Sequence, residues 1–362
     1  MFVAWRDLKF AKGRFALMGA VIVLITLLVG LLSGLTGGLS QQNISAVTGL
    51  PVDKIAFQAP TGGQDLSYSN STVTEHQWRQ WSQAPGVESA EPLGITTTKA
   101  TAGNRSIGVS AFGVEPGSHL APDSDKISDS TVVLSTAAAE NLGVEVGDFL
   151  ALAGRGLEVA AVEGDAFFSH TPVVWTSRAI WQQTAPPTES GDGPTATVIA
   201  LTTAPGADTD LIDQQVGTKT VSPEDSLSAI GSYASENGAL QLMRGFLFAI
   251  SALVVGAFFT VWTIQRSGDI AVLKALGAST ASLLGDALGQ ALVLLVGGAL
   301  LGTGIAAAAG ALVIGSAVPF LLTPATVLFP AAVMILLGAL GAALSIRRIT
   351  SVDPLTALGS AR

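Results

Sequence analysis

Four long apolar segments limit most strongly what this chain can fold into. The first, FALMGAVIVLITLLVGLLSGLT, covers residues 15–36 without a charged side chain. A helix of that length is roughly 33 Å long, which is enough to cross the hydrocarbon core of a bilayer. Further spans are predicted at 240–265, 287–315 and 327–346. The connection at 316–326 contains Pro319 and Pro324, which favour a short turn or a broken helix over a fifth span.

Composition agrees with a membrane protein and excludes several kinds of site. Only 12% of the 362 residues are charged, against roughly 25% in soluble proteins. The absence of cysteine excludes disulfides and thiolate metal sites. The three histidines, His76, His119 and His170, have no metal-type spacing. We expect them to be solvated or structural, and the many carboxylates of 37–239 to form a solvated acidic surface.

Basic residues flank the first and fourth spans on their terminal sides. By the positive-inside rule, both termini are expected in the cytoplasm and residues 37–239 outside. That segment has 8 Lys and Arg against 23 Asp and Glu, a net formal charge of −15, whereas the rest of the chain has +6. We interpret the first span as a retained anchor, because its apolar run is too long for an ordinary signal peptide. The flanking basic residues are Arg6, Lys9, Lys12, Arg14, Arg347 and Arg348.

Residues 37–239 have the pattern of a mixed α/β domain. Helices are predicted at 74–83 and at 136–143, where Gly143 is a suitable C-terminal cap. Ser222 and Pro223 mark another helix start, from which one helix is expected to continue through the second span to Gln265. The expected fold is therefore an α-helical membrane protein with four transmembrane helices and a mixed α/β extracellular domain inserted between helices 1 and 2. Strands are predicted at 52–59, 105–114, 130–135, 149–154, 157–162, 172–177 and 196–203.

The sequence carries no recognisable catalytic motif. It contains no G-x-x-x-x-G-K-[ST] phosphate-binding loop, no H-E-x-x-H and no G-x-S-x-G. We therefore predict that the chain is not an enzyme and does not bind ATP through a P-loop.

The stretch RSGDIAVLKALGAST, residues 266–280, separates the second and third spans. Ile270, Leu273 and Leu276 recur at helical spacing, and Asp269 lies near the predicted helix start, where its charge suits the helix dipole. One interpretation is an ordinary surface helix in a loop covering 266–286. The other is a helix whose apolar stripe contacts a partner. The residue pattern alone leaves both open.

This stretch resembles the cytoplasmic signature of ABC permeases of the MacB/FtsX superfamily, also called type VII or mechanotransmission transporters. AWRDLKFAKGRFALMGAVIVL is similar to the N-terminal amphipathic helix, here 1–14, and first span of that family. TVVLSTAAAENLGVEVGDFLALAGRGLEVAAV resembles a run of its extracellular domain. SVDPLTALGSAR, in the cytoplasmic tail 347–362, resembles its closing segment, although Gly359 stands where the family has Arg.

The resemblance implies a bacterial cell-membrane permease that forms a homodimer. Two copies of a separate cytoplasmic ATPase would bind ATP and Mg²⁺, and neither an intrinsic cofactor nor a nucleic acid would be involved. The apolar residues of the loop helix would fill a groove in the ATPase, and its charged residues would set the register. The coupling residues implied are Arg266, Asp269, Ile270, Leu273, Lys274, Leu276 and Gly277.

Within the superfamily, chain length and the N-terminal segment look most like the haem-efflux group. A haem site would need apolar walls, an iron ligand and a cation for propionate, and without cysteine the ligand must be His, Met, Tyr or a carboxylate. The candidate residues occupy one helix face at spacings of 3 and 4, with a cation beside them. They are Tyr233, Glu236, Leu240, Met243, Leu247 and the neighbouring Arg244.

Two alternatives stay open for this segment and for the whole chain. Met243 and Glu236 are the candidate iron ligands, but Met243 is also an ordinary packing residue and Arg244 an interfacial anchor. The alternatives for the whole chain are a permease without cargo that regulates a cell-wall hydrolase or a sensor, and an exporter of lipoproteins or amphiphilic peptides.

Overall fold

The computed structural model describes residues 12–185, 196–265, 268, 272, 276–313 and 318–350. The chain divides into two compact units. The first, here called the membrane unit, comprises Met1–Gly38 and Ala239–Arg362. The second, Leu39–Gly238, is here called the inserted domain.

Four helices among the described residues are long and apolar enough to cross a membrane, which confirms the prediction of four transmembrane helices. Each helix is longer than its apolar run. The third of these helices, Thr280–Val313, begins within the segment 266–286 that was predicted to be a loop, and the connection before it is correspondingly shorter. The four helices are α1 (Lys12–Thr48), α7 (Tyr233–Gln265), α8 (Thr280–Val313) and α9 (Pro324–Thr350).

Small residues allow α8 to approach α1 closely. A Cβ atom on Gly298 would lie 2.7 Å from Cγ2 of Ile22, and one on Gly302 would lie 2.6 Å from the carbonyl oxygen of Val23. The Gly-x-x-x-Gly spacing is a common means of bringing two membrane helices together. The glycine-rich third span, whose neighbours the sequence could not identify, therefore contacts the first span through these two glycines, and it also packs extensively against the fourth span.

The inserted domain contains ten strands and five short helices among the described residues. The strands are β1 (Lys54–Gln58), β2 (Val87–Ala102), β3 (Arg105–Val114), β4 (Thr131–Leu134), β5 (Phe149–Leu152), β6 (Arg155–Val162), β7 (Phe167–Phe168), β8 (Thr171–Ser177), β9 (Val198–Thr203) and β10 (Thr218–Val221). The helices are α2 (Glu75–Ser82), α3 (Thr136–Leu142), α4 (Arg178–Thr184), α5 (Thr209–Val216) and α6 (Pro223–Ser226).

The strands form one sheet in the order β10-β1-β9-β2-β3-β8-β4-β6-β5, with β7 beside β8. Strand β2 also pairs with β5, so six strands from β2 to β5 close into a ring. The pairs β3–β8 and β4–β6 are parallel. All seven strands predicted from the sequence are present, and β2, β7 and β10 were missed.

Local capping explains why the two predicted helices form where they do. Thr74 caps α2 through its side chain, which accepts from the backbone N–H of Gln77, while the Gln77 side chain returns to Thr74. Helix α3 begins after Ser135 and ends at Gly143, which adopts a left-handed conformation with φ of 67°. Both ends were predicted correctly.

The expectation of one continuous helix from Ser222 to Gln265 is wrong. Ser222 and Pro223 do start a helix, α6, but it is only four residues long and passes into a 3₁₀ turn. Tyr68 stabilises the break between α6 and α7. Its hydroxyl donates to Ser226 Oγ at 2.9 Å, and its backbone N–H donates to the carbonyl of Ala229. Burial raises the pKa of the Tyr68 hydroxyl well above its ordinary value, so it remains a donor.

Candidate functional site

Glu236, in the first turn of α7, lies at the centre of a polar cluster in the inserted domain. Its Oε2 atom accepts a hydrogen bond from Nδ2 of Asn43 at 2.9 Å. The same oxygen is 2.8 Å from Nε2 of His170. We call Asn43, His170 and Glu236 the Glu236 cluster. It brings together the end of α1, the turn between β7 and β8, and the start of α7.

Hydrogen bonds to α1 hold the backbone at Ser169 and His170. Ser169 and His170 both have left-handed backbone conformations, with φ of 49° and 63°. Their N–H groups donate to the carbonyls of Asn43 and Gln42, each at 3.0 Å. Non-glycine residues rarely adopt this conformation, so two such residues in succession must be held in it by the surrounding structure. The β7–β8 turn is thereby bound directly to α1.

The two donors leave part of the cluster available for another interaction. Both contact Oε2 of Glu236, so that Oε1 has no hydrogen bond from the described residues. The side chains of His170 and Glu236 are 33% and 31% exposed, so a ligand can reach them. Asn43 is 1% exposed, and its Oδ1 atom has no partner among the described residues. The cluster therefore offers a carboxylate oxygen and an imidazole at one accessible point.

The other residues predicted for the site have separate surroundings. In the inserted domain, Tyr233 packs against the hydrophobic core. In the membrane unit, Met243 is 49% exposed, whereas Leu240 and Leu247 are half-buried. The prediction that these side chains join Glu236 in one haem site stays a prediction.

Arg244, also in the membrane unit, contacts the first span. Its Nη2 donates to Oγ1 of Thr36 at 2.8 Å, while its Nε is buried and has no partner among the described residues. Arg244 therefore interacts with a neighbouring helix, and its role as an interfacial anchor stays a prediction.

Sequence reasoning missed two members of the cluster. His170 was assigned a solvated or structural role, and Asn43 was not considered. Asn43 and Glu236 are 193 residues apart, and His170 and Glu236 are 66 apart, so no local spacing connects them. The one available signal was the pair of polar residues Ser169 and His170 between two short apolar runs, which is typical of a tight turn.

The predicted coupling segment is described only in part. Leu276 is 79% exposed, and its N–H donates to the carbonyl of Val272 at 3.0 Å, as in a helical turn. Gly277 follows with φ of 96°, a conformation that favours glycine and turns the chain. Five predicted coupling residues lie outside the described residues: Arg266, Asp269, Ile270, Leu273 and Lys274.

Four membrane-spanning helices and an α/β domain inserted after the first define a multi-pass membrane protein. The profile of the MacB-like periplasmic core domain matches residues 17–219, and that of the FtsX-like permease C-terminal domain matches residues 242–354. The chain therefore belongs to the MacB/FtsX family of ABC transporter permeases.

Individual relatives match over almost the whole chain. A protein of Staphylococcus haemolyticus, named as a candidate hemin transport system permease protein HrtB, is 25% identical over 364 residues, 99% of each chain. Its namesake in Staphylococcus epidermidis is 24% identical over 373 residues, again 99% of each chain. An uncharacterized ABC transporter permease of Mycobacterium tuberculosis is 26% identical over 379 residues, also 99% of each chain.

Two solved structures are similar to part of the chain. One is the extracellular domain of the noncanonic ABC-type transporter YknZ from Gram-positive bacteria, with 14% identity and a TM-score of 0.34 over 46% of this chain and 96% of that chain. The other is the periplasmic region of MacB from Actinobacillus actinomycetemcomitans, with 14% identity and a TM-score of 0.33 over 51% of this chain and 95% of that chain.

Proposed function

We propose that the chain is the permease subunit of an ABC-type efflux pump that expels haem from the membrane. Two copies form a homodimer, and each copy docks on a separate cytoplasmic ATPase that binds ATP and Mg²⁺. Both termini lie in the cytoplasm, and the inserted domain lies outside. The energy for transport comes from the partner, and the permease itself needs no cofactor.

The Glu236 cluster is the observation that carries the choice of haem. Histidine is a common ligand of haem iron, and the accessible His170 imidazole lies directly beside the carboxylate of Glu236. Asn43 and the left-handed turn at Ser169 and His170 hold both groups before a ligand arrives. Relatives named for hemin transport, similar over their full length, support the same substrate.

Haem binding should depend on Glu236 and on His170. We expect Glu236→Gln and His170→Asn each to weaken haem binding by about ten- to a hundredfold, the usual range for losing a ligand or its immediate support. The Glu236→Gln side chain keeps an oxygen that can accept a hydrogen bond from Asn43. The His170→Asn variant tolerates the left-handed backbone conformation at position 170. Titration of the detergent-purified protein with haem, followed by the Soret absorption, measures the affinity and the iron ligation.

A control variant at another carboxylate shows whether the loss of haem affinity is specific to Glu236 or follows from the loss of any negative charge. Glu140→Gln removes one negative charge from an exposed position on α3, and its haem affinity should equal that of the wild type. Met243→Ala in the same series tests whether the methionine belongs to the site. Identical Soret spectra and affinities in the wild type and in all four variants would exclude the Glu236 cluster as a haem site.

A growth experiment distinguishes haem efflux from the other transport functions. Cells that contain the gene and that of its ATPase should survive toxic haem concentrations that inhibit cells without them. Equal sensitivity of both strains would favour a permease without cargo or an exporter of lipoproteins or peptides.

A further inference from the structure

The connection between α8 and α9 folds back onto α1 within the membrane unit. Its described part, residues 318–323, is not helical. The backbone N–H of Leu321 donates to the carbonyl of Gly34 at 2.9 Å, and Gly34 belongs to the apolar run of the first span. Irregular backbone beside a span is found where it is buried in protein or lines a cavity, and in transporters such segments commonly form substrate sites. The segment is therefore a candidate for a moving part.

Phe320 fills a slot whose walls are small residues. A Cβ atom on Gly34 of α1 or on Gly310 of α8 would overlap the ring, so neither position can carry a side chain while the ring is in place. A cavity of about 10 Å³ remains beside the ring, lined in part by Gly30 and Ala306. That volume is roughly the space of one water molecule. The ring itself is half-buried, and the slot between α1 and α8 has the shape of a flat aromatic group.

Few contacts would have to break for the ring to leave. Glycine walls present no side chain that must move aside, and one backbone hydrogen bond between described residues joins 319–323 to α1. Helix α9 has a cap of its own, because the N–H of Thr323 donates to Oγ1 of Thr326 at 3.0 Å and the N–H of Thr326 donates to Oγ1 of Thr323 at 3.2 Å. The ring can therefore leave the slot without unwinding α9.

We propose that Phe320 is a gate, and that the edge of a flat aromatic macrocycle replaces its ring between α1 and α8 when the transported molecule enters. The proposal rests on the proposed function, since the entering molecule is the one that is transported. Once the ring has left, Gly30, Gly34 and Gly310 expose backbone walls against which an apolar plane can pack closely. Phe320 closes the slot until such a molecule enters.

A disulfide between α1 and the connection tests this movement. A Cβ atom on Gly37 would lie 3.5 Å from Cβ of Leu321, within the range for a disulfide, and the chain has no cysteine of its own. Gly37→Cys and Leu321→Cys are combined with Thr326→Ser, because the Thr326 methyl group would lie 3.0 Å from the new Cβ atom at 37. Serine keeps the capping hydroxyl. This variant should form the disulfide rapidly on mild oxidation while the gate is closed.

Protoporphyrin IX is the probe, because it is flat and amphiphilic but has no iron that could oxidise thiols or bind the Glu236 cluster. At saturation it should slow disulfide formation at least about tenfold, since a molecule that binds the open form shifts the population towards it. The full-length, detergent-purified variant is oxidised in the dark, and its remaining thiols are counted by the gel shift with a maleimide-coupled polymer. An unchanged rate would overturn the proposal.

Two controls show whether the effect is specific. Cholate, an amphiphilic carboxylate whose ring system is bent and not aromatic, should leave the rate of disulfide formation unchanged, and an equal slowing by cholate would overturn the proposal. Ser282→Cys places a single thiol at an exposed position in the first turn of α8. Its reaction with maleimide should be the same with and without protoporphyrin IX, which excludes a direct effect of the porphyrin on thiols.

Transport by the same variant separates the gate from the proposed function. Reconstituted with its ATPase, the oxidised form should expel no haem, and reduction of the disulfide should restore efflux. Equal efflux by both forms would overturn the gate and leave the proposed function standing. If neither form moves haem, haem efflux is wrong, and the measurements with protoporphyrin IX still decide whether a flat macrocycle displaces Phe320.

Discussion

Leu276→Asp should abolish copurification of the partner ATPase, with an apparent affinity lowered about a hundredfold. Leu276 is 79% exposed, and Val272, one helical turn earlier, is 54% exposed. These two exposed apolar side chains lie one helical turn apart and together present an apolar surface that a groove in the ATPase would cover. A carboxylate at this position would have to be buried without a partner. Affinity purification of tagged permease coexpressed with its ATPase measures the loss.

A second variant tests whether the loss comes from the apolar contact or from added charge. Ser282→Asp places the same charge in the first turn of α8, where the backbone N–H of residue 282 already donates to Oγ of Ser279 at 3.2 Å. Negative charge is favourable at a helix N-terminus, so this variant should fold and retain the ATPase. Retention of the ATPase by Leu276→Asp would contradict docking through this turn, and its loss in both variants would indicate electrostatic repulsion.

The sequence predicted strands well where apolar and β-branched residues were concentrated. RSIGVSAFGV coincides with β3 from Arg105 to Val114. By contrast, β2 is the longest strand and was missed, because VESAEPLGITTTKATA contains Pro92, Gly94 and several charged residues. Pairing with β9 along its first half and with β3 along its second stabilises it. These pairings join strands that are distant in the sequence, so the local pattern of residues does not predict them.

Only one of the three residues of the Glu236 cluster was predicted, for a similar reason. Glu236 was identified because it shares one predicted helix face, at spacings of 3 and 4, with the other candidates on the segment entering the second span. Its partners depend on a turn in which Ser169 and His170 adopt left-handed conformations without the glycine or asparagine that normally signals one. The position of His170 therefore follows from the backbone hydrogen bonds to α1, which exist only after the domain has folded.

The connection before α9 was predicted to be a turn, and in the structure it also packs against α1 and α8. The proline-containing segment was expected to be a turn, and residues 318–323 are indeed not helical. The sequence did not indicate that Phe320 inserts its ring between Gly34 of α1 and Gly310 of α8. A Cβ atom at either glycine would lie 2.2 Å from that ring. The backbone N–H of Leu321 also donates to the carbonyl of Gly34 at 2.9 Å, so the segment is bound to α1.

Gly34→Ala should therefore destabilise the protein by about 2 kcal/mol, although alanine is a better helix former than glycine. The added methyl group has no space unless the Phe320 ring leaves its position. Gly19→Ala is the matched control. Gly19 lies on the same helix, and beyond that helix's own adjoining backbone no atom of the described residues lies within 4 Å of its Cβ position, so the substitution should be neutral or stabilising. Thermal unfolding of the detergent-purified variants measures both effects.

Removing the ring should reverse the sign of the Gly34 substitution. Phe320→Ala alone should cost about 3 kcal/mol through lost packing. In that background the methyl group of Gly34→Ala occupies vacated space, so the second substitution should be neutral or stabilising, and the coupling energy of the cycle should exceed about 1 kcal/mol. Additive effects of the two substitutions would contradict the insertion of Phe320 between the helices, because independent sites do not rescue one another.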